Sequence, residues 1–593
     1  MKVKVGLLGT IVLAFFFCGT LLQAQEQSFV PVKDIKEGMI LKGQTVLKGQ
    51  TLSDFEVRVS GVLRNNYPGE NFIIGEILGD YYKETGVIAG MSGSPVYLDG
   101  KIVGAVAFSF PFTKKAVAGI TPFEAMLKTE KKAAPEVSMD LNIEMKSGFR
   151  DPDLLEKISK RLQSRLPSFM NWNLLSHPGG LSHRLSESMG SQLAQFRTAL
   201  RSPGSSPQQK MNLDMKPSGE KLRDGDAINV HYTIGDLDIS AVGTVTKVIG
   251  DRFYAFGHPF MNLGKVEYPV SKAKIIDVVP SFESSFKLAE TDTYIGKITE
   301  DRLFAVRGQL GSLPDLIPIK VKVNWDKPRE YQIKMVRDKL LSPLLLYNVI
   351  SNVLIAEAKE SGELSVKVNG SFFTEGGNTV VYDDTFAGSS SVSDLSMMFA
   401  SLAYVLMDNP VKEFKIQEVA LEVTPWEKRK VATLNRVVAE KYRVKPGEKV
   451  NFTLYYKPLN EPAKSESVSI TVPPLASGEK LSILIGDAQS MEKFDTEQYK
   501  DGFKFPESET TLLRALNNIR KNNCIYFKVL RSNQTVFLNG YDYSNLPASV
   551  FHFLLPSQRD FNYAYPPIST FREYALPIEY SFEGRAMITL EIQ

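Results

Sequence analysis

The chain of 593 residues contains only two cysteines, Cys18 and Cys524. Cys18 lies in an apolar N-terminal stretch that we expect to be removed, which leaves Cys524 without a partner for an internal disulfide. Stability must therefore come from packed apolar cores, for which a chain of this length has ample material. Basic and acidic residues nearly balance, with 70 Lys and Arg against 67 Asp and Glu. This balance gives no argument for a nucleic acid partner.

Long apolar runs are also lacking beyond the first residues of the chain. Residues 1–24 have Lys2 and Lys4 before an apolar centre, and then a small-residue cleavage pattern at Leu22-Gln23-Ala24. This pattern is typical of a secretory signal peptide, with a retained membrane anchor as the alternative. We therefore expect export to the periplasm, cell envelope or extracellular space, with no stable membrane insertion after cleavage.

Two further absences limit the kinds of ligand site that we expect in this protein. No group of His, Cys, Asp or Glu has the spacing of a metal site, and no glycine-rich loop is suited to hold a phosphate. We accordingly predict neither a metal nor a cofactor. The oligomeric state is left open by the sequence.

The most informative stretch runs from residue 85 to residue 106, TGVIAGMSGSPVYLDGKIVGAV. Gly90 and Gly93 allow the backbone to bend around Ser92, because glycine adopts positive φ at little cost. Such a bend can expose the Ser92 hydroxyl and aim the amides of Gly90 and Ser92 at one point, as an oxyanion hole requires. The following Asp99-Gly100 is a strong signal for a two-residue hairpin turn.

This stretch resembles the nucleophile loop of chymotrypsin-like peptidases and, more closely, that of the SpoIVB peptidase family. The family signature Thr-Gly-Gly-Ile-Val-Gln-Gly-Met-Ser-Gly-Ser-Pro is nearly reproduced by residues 85–95, with one residue fewer between the threonine and the serine. The resemblance implies a two-lobed β-barrel fold and a serine peptidase activity. It also implies that Ser92 is the nucleophile and that no cofactor is used.

A second stretch resembles the other half of the same family domain. Residues 240–248, SAVGTVTKV, are similar to the family strand Gly-Ile-Gly-Thr-Leu-Thr, and the following AFGH resembles Ala-Leu-Gly-His. The resemblance implies that His258 is the general base. In the family the histidine half comes first, whereas here it follows the serine half, so we expect a permuted arrangement of the two lobes.

The third catalytic residue stays open at this stage. The family has an aspartate shortly before its Thr-Gly motif; the aligned position falls near Leu78, and Asp80 lies two residues away. Asp251 and Asp301 lie in the histidine half and are the alternatives. His231, on a predicted strand, is a rival general base.

Substrate and function follow as expectations. An extended protein or peptide substrate would pair with the strand near Ala107 and Phe108 by strand addition. We expect an exported serine endopeptidase. The alternatives are a catalytically degenerate relative that serves as a binding module of the envelope and a structural β-rich surface protein.

The sequence predicts a mainly β protein with a split chymotrypsin-like barrel unit, an α+β module and a C-terminal β-sandwich. The predicted boundaries are 1–24 for the signal peptide, 30–130 for the serine half, 131–220 for a linker or helical insert, 221–330 for the histidine half, 331–430 for the α+β module and 431–593 for the sandwich.

Overall fold

The computed structural model of the protein describes residues 29–67, 70–110, 112–128, 157, 216–357, 364–498, 506, 508–531, 536–538, 541–543, 549–550, 563–564 and 568–593. These residues are mainly in β-strands, so the predicted fold class is confirmed. None of the helices in these ranges is long and apolar enough to cross a membrane. The predicted signal peptide and most of the predicted insert at 131–220 lie outside the described residues.

The first barrel consists of six antiparallel strands, and buried apolar side chains from all six share one core. The strands are β1 (Ile40–Lys48), β2 (Thr51–Tyr67), β3 (Glu70–Leu78), β4 (Pro95–Leu98), β5 (Lys101–Ser109) and β6 (Val117–Pro122). They are joined in the order β1-β2-β3-β6-β5-β4, and β4 pairs back with β1 to close the barrel. A 3-10 turn (Val32–Asp34) precedes it, helix α1 (Asp80–Thr85) follows β3, and helix α2 (Phe123–Lys128) follows β6.

A two-residue hairpin joins β4 to β5. Asp99 and Gly100 have φ of +49° and +78°, and Leu98 pairs with Lys101 on either side of them. Two successive positive φ values are the requirement of a type I′ turn, which matches the twist of the flanking strands. The turn that the sequence predicted is therefore present, and it returns β5 alongside the loop that carries Ser92.

The second barrel has the same construction. Its strands are β7 (Ala227–Gly235), β8 (Ile239–Ile249), β9 (Arg252–Ala255), β10 (Gly264–Val279), β11 (Phe286–Arg302) and β12 (Ala305–Leu310). They follow the order β10-β11-β12-β9-β8-β7, and β7 also pairs with β10, which closes a second ring of six strands. The described residues of both barrels up to Tyr232, and from Ile239 to Pro314, lie in one compact unit.

The two barrels share one strand order. Counted from its own first strand, each barrel is joined as first, second, third, sixth, fifth and fourth strand. Ser92 lies between the third and fourth strands of the first barrel, and His258 lies between the third and fourth strands of the second. The two predicted catalytic side chains thus come from equivalent loops of two barrels with the same topology.

A second compact unit contains the rest of the described chain, together with residues 233–238. Its first sheet has the order β14-β13-β17-β15-β16, and β13 pairs in parallel with β17. The strands are β13 (Ile317–Val323), β14 (Arg329–Met335), β15 (Leu364–Thr374), β16 (Thr379–Gly388) and β17 (Ile416–Trp426), and the helices are α3 (Leu341–Glu357) and α4 (Ser391–Met407). Strand β13 lies in this unit, whereas the sequence had placed residues up to 330 with the histidine half.

The last part of the second unit has two facing sheets with a shared apolar core. One sheet has the order β21-β20-β18-β28 and the other β19-β29-β22-β23-β27. The elements are β18 (Val431–Ala439), β19 (Arg443–Val444), β20 (Lys449–Pro458), β21 (Lys464–Thr471), β22 (Lys480–Gly486), α5 (Ala488–Gln498), α6 (Glu509–Asn517), β23 (Cys524–Arg531), β27 (Ser569–Pro577), β28 (Ser581–Glu583) and β29 (Arg585–Ile592). Three short strands, β24 (Val536–Leu538), β25 (Tyr541–Tyr543) and β26 (Tyr563–Ala564), form a separate sheet.

Candidate functional site

The loop that carries Ser92 is folded by two successive β-turns. The Met91 amide donates to the Ile88 carbonyl at 2.9 Å, and the Ser94 amide donates to the Met91 carbonyl at 2.8 Å. The third position of each turn is a glycine with positive φ, +98° at Gly90 and +94° at Gly93. A side chain at these positions would be strained, because L residues rarely adopt such φ values.

Two backbone amides of this loop, those of Gly90 and Ser92, have no hydrogen-bond acceptor within the described part of the chain. Their directions are set by the carbonyl of the same peptide group, since the C=O and N–H of a trans peptide point in opposite directions. The Ala89 carbonyl accepts from the Lys287 amide at 3.0 Å, and the Met91 carbonyl accepts the hydrogen bond of the second turn. The orientation of both amides is therefore fixed by hydrogen bonds to the carbonyls of their own peptide groups.

Strand β8 of the second barrel anchors the carbonyls of the serine loop. The Thr244 amide donates to the Ser92 carbonyl, and the Thr244 hydroxyl donates to the Gly90 carbonyl, both at 2.8 Å. The Thr246 hydroxyl donates to the Gly93 carbonyl at 2.8 Å. Sequence reasoning missed these two threonines, although their spacing of two places them on one face of the strand.

The serine loop and the segment before His258 meet backbone to backbone. A Cβ atom added to Gly93 would lie 1.9 Å from the Thr244 carbonyl oxygen and 2.4 Å from the Phe256 amide nitrogen. Such distances leave no room for any side chain at this position. Gly93 follows Ser92 directly, and Phe256 is two residues before His258, so the structure brings the two predicted segments together.

The His258 side chain is half-buried, and its ring makes one hydrogen bond, from Nδ1 to the Pro259 carbonyl at 2.8 Å. A carbonyl oxygen can only accept, so Nδ1 carries the proton of the neutral ring and Nε2 keeps its lone pair. Burial lowers the pKa of His258 from its ordinary value, against a smaller opposite effect of the Pro259 carbonyl. The imidazole is therefore neutral at pH 7, in the tautomer that a general base at Nε2 requires.

The backbone before His258 is strained. Phe256 and Gly257 have φ of +68° and +67°, and a positive φ is uncommon for an aromatic residue. The Phe256 ring lies 4.5 Å from the Phe260 ring and covers Gly243, where an added Cβ would lie 2.2 Å from it. This packing holds the unusual backbone in place, and strain of this kind is concentrated at functional sites.

Ser92 Oγ and His258 Nε2 do not form a hydrogen bond in this structure. The serine loop contacts the segment before His258, but the Ser92 and His258 side chains are not hydrogen-bonded to each other. Catalytic hydrogen bonds are often long before a substrate binds and tighten in the complex. One compact unit thus contains the Ser92 hydroxyl, the His258 ring with its acceptor nitrogen Nε2, and the backbone amides of Gly90 and Ser92.

Asp301 is the acidic residue that contacts the His258 loop. Its carboxylate is fully buried and accepts from the amides of Phe260 and Met261, both at 2.7 Å, and of Leu263 at 3.3 Å. Burial raises the pKa of Asp301 to about 6, although the amide hydrogen bonds favour the charged form and act in the opposite direction. Asp301 therefore holds the main chain after the histidine and makes no hydrogen bond to the imidazole.

The other two acidic candidates lie elsewhere. Asp80 is the first residue of α1, and its side chain is 95% exposed and forms an ion pair with Lys83 at 2.7 Å. Asp251 is exposed in the turn between β8 and β9. The structure does not bring either carboxylate to the imidazole of His258.

Of the remaining predicted site residues, His231 and Ala107 are buried and Phe108 is partly buried. His231 is fully buried in the second barrel, and its Nε2 lies 2.8 Å from Ser271 Oγ. The Ala107 side chain is buried beside Gly257, and the Phe108 ring packs on Phe72 with 5.3 Å between the ring centroids. Among the described residues, no three His, Cys, Asp or Glu side chains come together as metal ligands.

Lys287 is a second residue that sequence reasoning missed. Its side chain is only 4% exposed, and Nζ donates to the Thr45 hydroxyl at 2.8 Å. Burial lowers the pKa of Lys287 to about 7, and no neighbouring charge contributes. A lysine between apolar residues in a predicted strand is the only sequence signal for it.

Comparisons with known proteins give one match. Residues 4–127 match the family model described as SpoIVB peptidase S55, and this range includes Ser92, Gly90 and the whole first barrel. No curated protein and no solved structure matches the chain. The match confirms the resemblance inferred from the serine loop, and this part of the chain is thus similar to the SpoIVB family of serine peptidases.

Proposed function

We propose that this protein is an exported serine endopeptidase, with Ser92 as nucleophile and His258 as general base. The observation that supports this most strongly is the pair of available amides at Gly90 and Ser92, each fixed by an anchored carbonyl. Two amides directed at a developing oxyanion are the main source of transition-state stabilisation in acyl transfer. The SpoIVB match over residues 4–127 supports the same reaction class.

The reaction begins when Ser92 Oγ attacks the scissile carbonyl carbon and His258 Nε2 takes the hydroxyl proton. The carbonyl electron pair moves to oxygen, and the amides of Gly90 and Ser92 bind the resulting oxyanion. When the C–N bond breaks, the imidazolium returns its proton to the leaving amine and an acyl-enzyme remains. Water then repeats the sequence with Ser92 as leaving group, while the Pro259 carbonyl accepts from Nδ1–H throughout.

Asp301 is a positioning residue in this proposal. It holds the Phe260 and Met261 amides, and so places the loop that carries His258 without contacting the imidazole. The carbonyl of Pro259 performs the tautomer-fixing role that a carboxylate has in a Ser-His-Asp triad. Because Asp301 binds these two amides, we propose Asp301, and not Asp80 or Asp251, as the acidic residue that supports His258.

The substrate is a protein or peptide bound in extended form. Beyond the pairing of β4 with β5, the serine loop runs beside β5: the Gly93 amide donates to the Val106 carbonyl at 2.7 Å, and the Val106 amide donates to the Ser94 carbonyl at 3.0 Å. A substrate strand would lie along the backbone of Ala107 and Phe108, so the polypeptide contributes main-chain hydrogen bonds. Export rests on the leader pattern of residues 1–24, and the order of the two barrels is proposed to be a permutation of the family order.

A catalytically degenerate binding module is the second candidate. One observation favours it, which is the missing hydrogen bond between Ser92 Oγ and His258 Nε2. Such a protein would keep the barrels and the peptide-binding strand but would not form an acyl-enzyme.

Labelling with a fluorophosphonate probe separates the two candidates. We expect the purified protein to be labelled and Ser92→Ala to be unlabelled. Ser94→Ala is the matched control, because Ser94 Oγ is buried two residues away and has no hydrogen-bond partner in the described structure. A wild-type protein that is never labelled, or labelling that survives Ser92→Ala, would favour the binding module.

The pH dependence of cleavage is expected to reflect the low pKa of His258. Only the neutral imidazole accepts the Ser92 proton, and burial holds its pKa below the ordinary 6.5. The midpoint of the acid limb should therefore lie below pH 6.5. The measurement is kcat/KM for one peptide against pH at constant ionic strength. An acid limb centred at pH 7 or above would contradict the assignment.

Asp301→Asn is expected to reduce kcat/KM about 10–100-fold and to lower the free energy of unfolding by about 2–3 kcal/mol. The change removes charge-assisted hydrogen bonds and turns an amide NH₂ group towards backbone N–H donors. Asp80→Asn and Asp251→Asn are the controls, since both side chains are exposed, and each should keep full activity. Steady-state kinetics and urea unfolding of the three variants provide the comparison. Equal kinetics in all three would refute the role given to Asp301.

A further inference from the structure

Lys287 lies directly beside one of the two amides that the proposed oxyanion hole uses. The side-chain carbons Cβ, Cγ and Cδ of Lys287 would lie 3.3, 3.2 and 3.0 Å from a Cβ atom added to Gly90. The lysine stem therefore occupies the space next to Gly90 that a side chain would otherwise fill. At Gly90 the backbone has positive φ, so a side chain at this position would meet both the conformational penalty and the lysine stem.

The main chain of the same residue fixes the peptide group that ends at Gly90. The Lys287 amide donates to the Ala89 carbonyl at 3.0 Å, and the Ala89 amide donates to the Ser285 carbonyl at 2.7 Å. Ala89 thus pairs with the start of β11 like a short parallel strand. Because the Gly90 N–H belongs to the peptide group of the Ala89 carbonyl, its direction depends on this pairing.

The far end of the side chain is tied to the first barrel. Lys287 Nζ donates to the hydroxyl of Thr45, which is fully buried on β1. A buried amine is unfavourable for folding, because it is fully solvated and charged in the unfolded chain. Apolar packing would satisfy the core better, so stability does not explain this lysine.

We infer that Lys287 is a positioning residue of the oxyanion hole: its bond to Thr45 keeps its stem against Gly90 and so keeps the Gly90 amide aimed at the scissile carbonyl oxygen. This inference rests on the proposed peptidase function. It assigns to Lys287 no proton transfer and no contact with substrate. The amine affects the reaction only because it helps to fix the position of the Gly90 backbone.

The test uses two variants that break the same hydrogen bond from opposite ends. In Lys287→Met the stem keeps its length but loses the amine, and in Thr45→Val the hydroxyl is replaced by a methyl group of similar size. We expect Lys287→Met to melt at a higher temperature than the wild type and Thr45→Val to melt at a lower one, because the second leaves a buried donor unpaired. Both should lose kcat by about tenfold with KM nearly unchanged, a fraction of the cost of removing one oxyanion donor.

If Lys287 had a purely structural role, kcat would follow the melting temperature. A fall of kcat in both variants, with melting temperatures that change in opposite directions, would therefore exclude such a role. Lys272→Met is the matched control. Lys272 is also buried on the second barrel, but its Nζ lies near the carboxylates of Glu220 and Asp226. This variant should melt at a lower temperature and keep its kcat. A kcat of Lys287→Met within twofold of the wild type would overturn the inference.

Hydrogen exchange measured by mass spectrometry gives a readout that does not need activity. The peptide that covers residues 86–94 should exchange faster in Lys287→Met and Thr45→Val, and at the wild-type rate in Lys272→Met. If the wild type reacts with no serine-directed probe, the peptidase proposal fails while this exchange still decides whether Lys287 holds Gly90. Unchanged exchange in Lys287→Met would refute the positioning role.

Discussion

Replacement of Ser92 by alanine is expected to lower kcat for peptide cleavage on the order of 10⁴-fold or more, and His258→Ala is expected to cost nearly as much. The serine supplies the attacking oxygen, and the histidine removes its proton in the same step. Neither group retains its function when the other is missing. The double variant should therefore be little slower than either single variant.

Single-turnover kinetics with one fluorogenic peptide measure this non-additivity. Ser94→Ala serves as the control within the loop and should cleave at close to the wild-type rate. If the two losses multiplied in the double variant, Ser92 and His258 would act independently, and the mechanism with His258 as base for Ser92 would be wrong.

Gly93→Ala is expected to have the largest effect on stability. The added Cβ atom would lie 1.9 Å from the Thr244 carbonyl oxygen, so backbone of the serine loop or of β8 must move. Positive φ adds strain of about 1–2 kcal/mol, and overpacking of this kind costs about 1–3 kcal/mol more. We expect the free energy of unfolding to fall by about 2–5 kcal/mol, the sum of these two contributions, and cleavage to be lost with it.

Gly86→Ala separates the two contributions. Gly86 belongs to the same loop and has φ of +65°, but an added Cβ would meet no atom within 4 Å. This control should lose only the conformational part, about 1–3 kcal/mol, because its φ of 65° and ψ of −155° are adopted almost only by glycine. Urea unfolding followed by circular dichroism measures both variants. Equal losses would show that the contact between Gly93 and Thr244 contributes nothing.

The equivalent placement of Ser92 and His258 is compatible with either order of the two barrels along the chain. Each lies between the third and fourth strands of a barrel, and both barrels follow the same strand order. Two barrels of equal topology can present the same pair of loops to each other whichever barrel comes first in the chain. Chain order is therefore no obstacle to the proposed chemistry, since catalytic geometry is defined in space.

Much of the serine segment could be predicted from sequence, because its conformation depends on neighbouring residues. Asp99-Gly100 adopts the predicted hairpin turn since both residues tolerate positive φ. Gly90 and Gly93 are glycines at positions where the loop requires positive φ. Alternation of apolar residues likewise indicated a mainly β protein. These are local properties, so a single sequence is sufficient to predict them.

The acidic residue could not be chosen in this way. Asp80, Asp251 and Asp301 all lie in plausible positions along the chain, and spacing does not distinguish them. Only the fold shows that Asp80 is exposed beside Lys83, while Asp301 is buried and binds the amides of Phe260 and Met261. The role of a carboxylate depends on which donors are within about 3 Å, and here these donors are some 40 residues away in sequence.

The sequence by itself thus predicted the hairpin turn at Asp99-Gly100 and the strand character, and it pointed to Ser92 and His258 as the side chains to test. The tertiary structure decided which groups support them: the threonines of β8 that anchor the serine loop, Asp301 behind the histidine loop and Lys287 beside Gly90. Periodicity shows that a side chain is buried but not what it is buried against. The contacts of Thr244 and Lys287 with the serine loop became visible only when strands of the second barrel were placed against Gly90 and Ser92.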